Sequence, residues 1–252
     1  MVSRCLAIVL AAGCAPLLPA QAGNALVDQT RSAPPTRALT LEERGDIMMA
    51  RKMYREAIDT FQSEPHKTAV LYDKIGIAYH QLQQLDSAKK NYEQALKVKR
   101  DYAEALNNIG TIYYAKKSYR RAIGYYKRAL RFSDSASIYS NLGTAYFARK
   151  EYNLATDSYQ EALNRDPEVF EHRSNYGTLL QDRNVEERAR FHYYLAKMYA
   201  KSGRTELALQ YVRKCLEEGF KEKDKLTVEP EFQALRELPE FKELLALEPR
   251  VL

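Results

Sequence analysis

The sequence predicts an all-α fold built as a stack of helix-turn-helix repeats behind a removable leader. Three observations carry this reading. A frame of small and aromatic residues recurs along the chain, apolar positions within each unit are spaced by three and four, and the N-terminal segment differs in composition from everything after it.

Composition sets the bounds. The chain has 252 residues, 45% of them hydrophobic. Its mean hydropathy of −0.54 is far too polar for an integral membrane protein. Lys and Arg number 39 against 33 Asp and Glu, a net charge of +6 on a mixed background. That excess is weaker than the one-sided charge of a nucleic-acid binder, so no nucleic acid is expected as a partner. There are 19 Tyr and 8 Phe but no Trp, which means that tyrosine is being placed repeatedly.

Residues 1–22 read as a signal peptide. Arg4 is the only charge before Asp28, and the apolar stretch Cys5 to Ala12, extended by Leu17 and Leu18, follows it. Ala20-Gln21-Ala22 supplies small residues for cleavage after Ala22. The rival is lipoprotein processing at Cys14, whose preceding Ala11-Ala12-Gly13 resembles a lipobox with Ala where Leu is commoner. Leu17 and Leu18 fit poorly in a lipoprotein tether, and the apolar run is shorter than the roughly 20 residues a bilayer span needs. Once the leader is removed only Cys215 remains, so no disulfide framework is expected. Its apolar helical position marks it as a core residue. Residues 23–38, rich in Ala, Ser and Pro, form a linker with Pro34-Pro35 as its breaker.

The repeats follow. Around Gly143 stand Tyr139 and Leu142, then Tyr146, Tyr152, Ala155, Tyr159, Ala162 and Pro167. Around Gly110 the matching residues are Leu106, Ile109, Tyr113, Tyr119, Ala122, Tyr126 and Ala129, with Asp134 in place of the proline. Around Gly76 they are Tyr72, Ile75, Tyr79, Leu85, Ala88, Tyr92 and Ala95, with Arg100 in that place. The frame weakens around Gly45 to Leu41, Arg44, Met48, Tyr54, Ala57 and Phe61. Successive glycines are 31, 34 and 33 residues apart, a helical-repeat period.

Four such frames, residues 39–167, resemble the tetratricopeptide repeat family. The resemblance implies two antiparallel helices per repeat, stacked into a right-handed superhelix that binds a protein or an extended peptide on its concave face. Trp is missing from every first aromatic position, but Tyr or Leu keeps the packing volume. No unit can bury its own apolar face, so stacking supplies the stability. The glycine and the two alanines let backbones approach, and the ring three residues after each glycine is expected to fill the remaining space.

A fifth, degenerate repeat is expected over 190–218, with Ala196 in the small position and Leu195, Tyr199, Ala208 and Val212 in register. The intervening insertion, 168–189, carries Val169, Phe170, Tyr176, Leu179 and Leu180, too apolar for a free linker. Residues 219–252 read as a helical cap, with Pro230 and Pro239 near helix starts.

Catalytic signatures are missing. There is no GxxxxGK[ST], GxSxG, HExxH or GxGxxG. His66, His80, His172 and His192 are scattered without a chelating pair and read as surface or groove residues, so no metal or cofactor is expected and the chain is predicted not to be an enzyme. Binding is assigned to front-helix residues facing away from the core. These form three rows: Lys74, Asn108 and Asn141, with Asn107 beside them; Ile77, Thr111 and Thr144; and His80, Tyr114 and Phe147. Amides beside rings suit an extended peptide, although the asparagines have a second reading as bonds between neighbouring helices. Lys74 stands alone among neutral residues, so a clamp for a terminal carboxylate is not implied.

From Ala105 to Ser133 seven cations occur with no acid, among them Arg120, Arg121, Lys127 and Arg128. Either Glu93, Asp157 and Glu161 on adjacent units neutralise them, or they contact an acidic partner or an anionic membrane or envelope surface. Three functions remain open. The first is a peptide-binding scaffold of the bacterial cell envelope, periplasmic or secreted. The second is a lipid-anchored outer-membrane assembly factor, and the third an enzyme or enzyme subunit with its site in the insertion at Asp182, Arg183 and Glu186.

Overall fold

The computed structural model describes residues 37–170 and 184–246. The leader, most of the linker and the middle of the insertion, with Asp182 and Arg183, lie outside the described residues. Among the described residues the fold is helical, with no strand. Helix α1 (Leu41–Ala50) pairs with α2 (Tyr54–Gln62), α3 (Ala69–Gln81) with α4 (Leu85–Val98), and α5 (Ala103–Ala115) with α6 (Tyr119–Ala129). Helix α7 (Ala136–Ala148) pairs with α8 (Tyr152–Arg165), and α9 (Val185–Lys201) with α10 (Thr205–Glu217). Then come α11 (Asp224–Val228), a 3-10 helix (Pro230–Leu235) and α12 (Pro239–Ala246). Helices α1 to α8 pack mainly on their neighbours in sequence, the pattern of a quasi-linear stack.

Local chemistry sets the ends of these helices. Thr40 caps α1 in a reciprocal box: the Glu43 amide donates to Thr40 Oγ1 at 3.1 Å and the Thr40 amide to Glu43 Oε2 at 2.9 Å. Thr68 and Asn184 cap α3 and α9 one way, their side-chain oxygens accepting from the Leu71 and Glu187 amides. Each front helix ends in one recurring bond, from the Ser118 amide to the Tyr113 carbonyl at 2.8 Å, from Glu151 to Tyr146 at 3.0 Å and from Arg204 to Tyr199 at 2.9 Å. Such closure needs a left-handed residue at the turn. Lys52, Gln83, Lys117 and Lys150 supply it with φ between 56° and 64°, and Gly203 supplies it in the last pair at 73°.

The glycine frame is explained by a residue other than the one expected. The ring facing each glycine lies sixteen positions later, on the back helix. A Cβ on Gly110 would meet a Tyr126 ring carbon at 2.5 Å, and one on Gly143 would meet Tyr159 at 2.6 Å. Gly76 faces Tyr92 and Gly45 faces Phe61 in the same way. Tyr79 and Tyr113, at the position three after glycine, are only half-buried, and Tyr113 stacks on Tyr125 with ring centres 5.3 Å apart. A side chain at that position leans back over its own helix, whereas the back-helix ring points straight at the bare backbone. In the fifth pair the small residue is Ala196, and Val212 stands where the ring would be. Added bulk on one helix is matched by lost bulk on the other.

The start of the insertion packs on the array, as its apolar residues predict, but the insertion's end and the make-up of the cap differ from expectation. Val169 and Phe170 are buried, with the Phe170 ring edge-on to Tyr159 at 5.4 Å. Helix α9 begins at Val185, so residues 185–189 belong to the fifth pair's front helix and not to the insertion. An additional helix, α11, precedes the two helical segments expected in the cap, and Leu226, Phe232, Leu235, Phe241 and Leu244 are buried beneath it and them. Tyr193 of α9 stacks on Phe220 at 4.5 Å, while Lys197 holds Glu229 at 2.9 Å and Glu231 at 3.4 Å.

Candidate functional site

The front helices present the residues assigned to binding, but most of them face one another. Lys74 Nζ lies 2.7 Å from both Glu42 and Asp46 of α1. It is therefore not alone among neutral groups, and the two hydrogen-bonded carboxylates outweigh its partial burial to hold its ammonium above the ordinary lysine range. Its neighbour Asp73 is buried and accepts a hydrogen bond from Asn108 Nδ2 at 3.0 Å. Asn107 Oδ1 in turn accepts from Asn141 Nδ2 at 2.9 Å. The polar row is thus a zipper running α1 to α3, α3 to α5 and α5 to α7. Of the two readings left open for the asparagines, the bond between neighbouring helices is the one realised.

Asp73 is the unusual member. Burial pushes its carboxyl up to about 6; the Asn108 bond opposes this, and Glu104 adds to it.

The second and third rows divide. Thr144 is 2% exposed and Phe147 5%, so neither is available on a surface. Thr144 Oγ1 donates to the Ser140 carbonyl and accepts from the Tyr159 hydroxyl at 3.1 Å. Phe147 packs edge-on to Tyr152, Phe191 and Tyr194, with ring centres 5.2 to 5.9 Å apart. Both leave the binding set: Thr144 is bonded within its own helix pair, and Phe147 is covered by rings of α8 and α9, which the position within the frame does not reveal. Ile77, His80, Thr111 and Tyr114 stay half-exposed. Burial lowers the His80 imidazole pKa, favouring the neutral ring. Thr111 accepts from Tyr126 at 3.3 Å, and Tyr114 tilts over Tyr119 at 5.3 Å.

Other groups escaped the sequence reading. His192 is buried and its Nδ1 lies 2.7 Å from Glu218, which Arg188 also contacts at 3.2 Å. Burial pulls the Glu218 carboxyl up, yet these two partners outweigh it and hold it below the usual range. A histidine expected on the surface is therefore a strut between α9 and α10. Tyr152 and Tyr194 stack at 5.2 Å, and Arg190 donates to the Tyr152 hydroxyl at 2.8 Å. Glu186 lies against Arg190 and Lys221, at 3.5 and 3.7 Å. Cys215 is fully buried and its thiol is pushed up to about 12 by desolvation, the behaviour of a packing residue. Among the described residues no cluster of His, Cys, Asp or Glu could hold a metal ion, and no helix is long and apolar enough to cross a membrane.

Comparison with known proteins agrees with the geometry. Profiles described as tetratricopeptide repeat match residues 32–101, 74–137, 136–169 and 189–218. The chain belongs to the tetratricopeptide repeat family, and repeats of this kind imply a protein-interaction scaffold. Among curated relatives, the tetratricopeptide repeat domain-containing protein PYG7, chloroplastic, of Arabidopsis thaliana is 28% identical over 120 residues, 45% of this chain and 40% of that protein. The uncharacterized protein ycf37 of Guillardia theta is 33% identical over 98 residues, 36% of this chain and 55% of its own length. The chain thus spans 35% to 60% of the curated relatives it matches. Among solved structures, a chain of the APC/C hetero-tetramer Cut9-Hcn1 superimposes with a TM-score of 0.51 at 18% identity, over 81% of this chain and 35% of that one. MamA gives 0.47 at 19% identity, over 69% and 93%.

Proposed function

We propose that this protein is a non-catalytic scaffold of the bacterial cell envelope, holding an extended segment of a partner protein against the front helices of its second and third repeats. The observation that supports the site is the half-exposed row Ile77, His80, Thr111 and Tyr114, which takes no part in the inter-helix zipper. One apolar group, one neutral imidazole and one phenol give rings for side chains and donors for a peptide backbone, while the Thr111 hydroxyl already donates to the Asn107 carbonyl at 3.2 Å. Export rests on the leader-like residues 1–22.

Two measurements test this reading. Capture from envelope extract should lose its specific partner when His80→Ala and Tyr114→Ala are combined, while thermal melting shifts little; equal capture by both proteins would remove the concave site. Mass spectrometry of the mature chain should place Gly23 at its N-terminus. Acylated Cys14 would instead support the anchored form, and an intact Met1 in the cytoplasm would end the envelope reading.

A further inference from the structure

The outward side of α6 and its flanks carries a second surface, independent of the concave row. Lys117, Arg120, Arg121, Lys127, Arg128 and Arg131 are all exposed; on α6 the pairs Arg120/Lys127 and Arg121/Arg128 each repeat after seven residues, about two turns, and Lys117 and Arg131 flank the helix, so the cations form one stripe. None of the six has an acidic ion-pair partner among the described residues. Two of the carboxylates expected to neutralise them are engaged elsewhere, Glu93 with Lys89 at 3.1 Å and Glu161 with Arg165 at 2.5 Å. Lys116, the remaining cation of this run, is the one that is satisfied, by Asp86 at 2.5 Å.

Three of the cations are held in place by rings. Arg121 lies over Tyr113 at 5.6 Å, Arg128 over Tyr125 at 5.1 Å and Lys127 over Tyr146 at 5.6 Å. Tyr113 and Tyr125 are themselves stacked. A guanidinium lying over a ring keeps its N–H edge free, and the contact lowers the cost of ordering it when a carboxylate arrives. At the start of the stripe Lys117, Ser118, Tyr119, Arg120, Arg121 and Arg149 line a wide, shallow cleft of about 470 Å³.

The position in the middle of the stripe is Gly124. Glycine weakens a helix interior relative to alanine, and the other helical glycines among the described residues each face an aromatic ring. Around Gly124 a Cβ would meet nothing within 4 Å. At the same place in the other repeats stand Asp59, Lys90 and Asp157, all exposed. A bare backbone flanked by ordered cations lets another chain approach closely between them.

We infer that this stripe and cleft dock an acidic peptide segment of a partner protein, its Asp and Glu side chains reaching the arginines while its backbone passes over Gly124. An anionic bilayer would read the charges but neither the cleft nor the glycine.

The test uses the full chain and a fluorescent 12-residue peptide of Asp and Glu, its Asn/Gln counterpart, and phosphatidylglycerol vesicles. The acidic peptide should bind at least about tenfold more tightly than the neutral one at low salt, and less tightly as salt rises. Combining Arg120→Glu, Arg121→Glu and Arg128→Glu should abolish that preference, whereas Lys242→Glu on α12 should not. Gly124→Leu is the decisive variant, since it changes no charge and favours the helix. It should weaken the acidic peptide about threefold or more with melting unchanged or raised. Equal binding of the two peptides, an unaffected Gly124→Leu protein, or vesicle binding without peptide binding would each overturn the inference.

Discussion

A Cβ placed on Gly143 would lie 2.6 Å from a ring carbon of Tyr159 and 3.1 Å from the Ala155 carbonyl oxygen, so α7 and α8 meet through bare backbone on one side and an aromatic face on the other. Gly143→Ala should therefore cost about 1–3 kcal/mol by overpacking, measured by urea unfolding. Ala196 and Val212 suggest the remedy. Combined with Tyr159→Val, the alanine should cost much less than it does alone, leaving a coupling of at least about 1 kcal/mol. Additive losses would show that ring and glycine do not share one space.

The hydroxyls of those back-helix tyrosines differ. Tyr126 donates to Thr111 at 3.3 Å and Tyr159 to Thr144 at 3.1 Å, but Tyr92 has Ile77 at the corresponding place and its buried hydroxyl has no hydrogen-bond partner. Tyr159→Phe should lose about 1 kcal/mol, while Tyr92→Phe should be neutral or stabilising, because a buried unsatisfied hydroxyl is removed. Thermal melting of the two variants side by side decides it, and equal losses would contradict the assignment.

Asp73 makes stability depend on pH. Its folded pKa of about 6 lies above the ordinary carboxyl value of 3.8, so the folded state holds the proton more tightly than the unfolded one. Its favourable contribution is complete below about pH 4 and is lost as pH rises through 6. Asp73→Asn should accordingly stabilise by about 1–3 kcal/mol at pH 7.5 and by little at pH 4. Asn108→Ala should destabilise most above pH 6, where it strands a buried carboxylate. A flat pH profile for wild type and variant alike would show that Asp73 titrates normally.

The cap is expected to stabilise the last repeat. Phe232 is fully buried beside Tyr193 and Phe241, with ring centres at 6.0 and 6.4 Å. Phe232→Ala should cost about 3–5 kcal/mol and increase binding of a hydrophobic dye. Unchanged melting would mean that the cap is dispensable.

The repeat frame was legible because packing a helix pair is a local problem. The intervals of three and four, the glycines at 45, 76, 110 and 143 and the alanines on each back helix appear in sequence order and need no distant partner to be recognised. The core role of Cys215 was visible for the same reason. The site was less legible. Lys74, Asn107, Asn108 and Asn141 have the polarity of a binding surface, and a side chain's polarity does not say whether its partner is a ligand or the helix one repeat away.

By itself the sequence determined the helical class, the repeat period, the small-residue positions and the run of cations without acids, all properties carried by residues within about one repeat of each other. Tertiary structure alone decided which ring meets each glycine, that Thr144 is buried against Tyr159 and Phe147 against α9, that His192 braces Glu218, and that the expected counter-charges Glu93 and Glu161 bond elsewhere. The physical reason is that exposure and pairing are relations between elements. A periodic pattern states which face of a helix is apolar, but how far its neighbours extend over the other face depends on the direction in which the next helix packs.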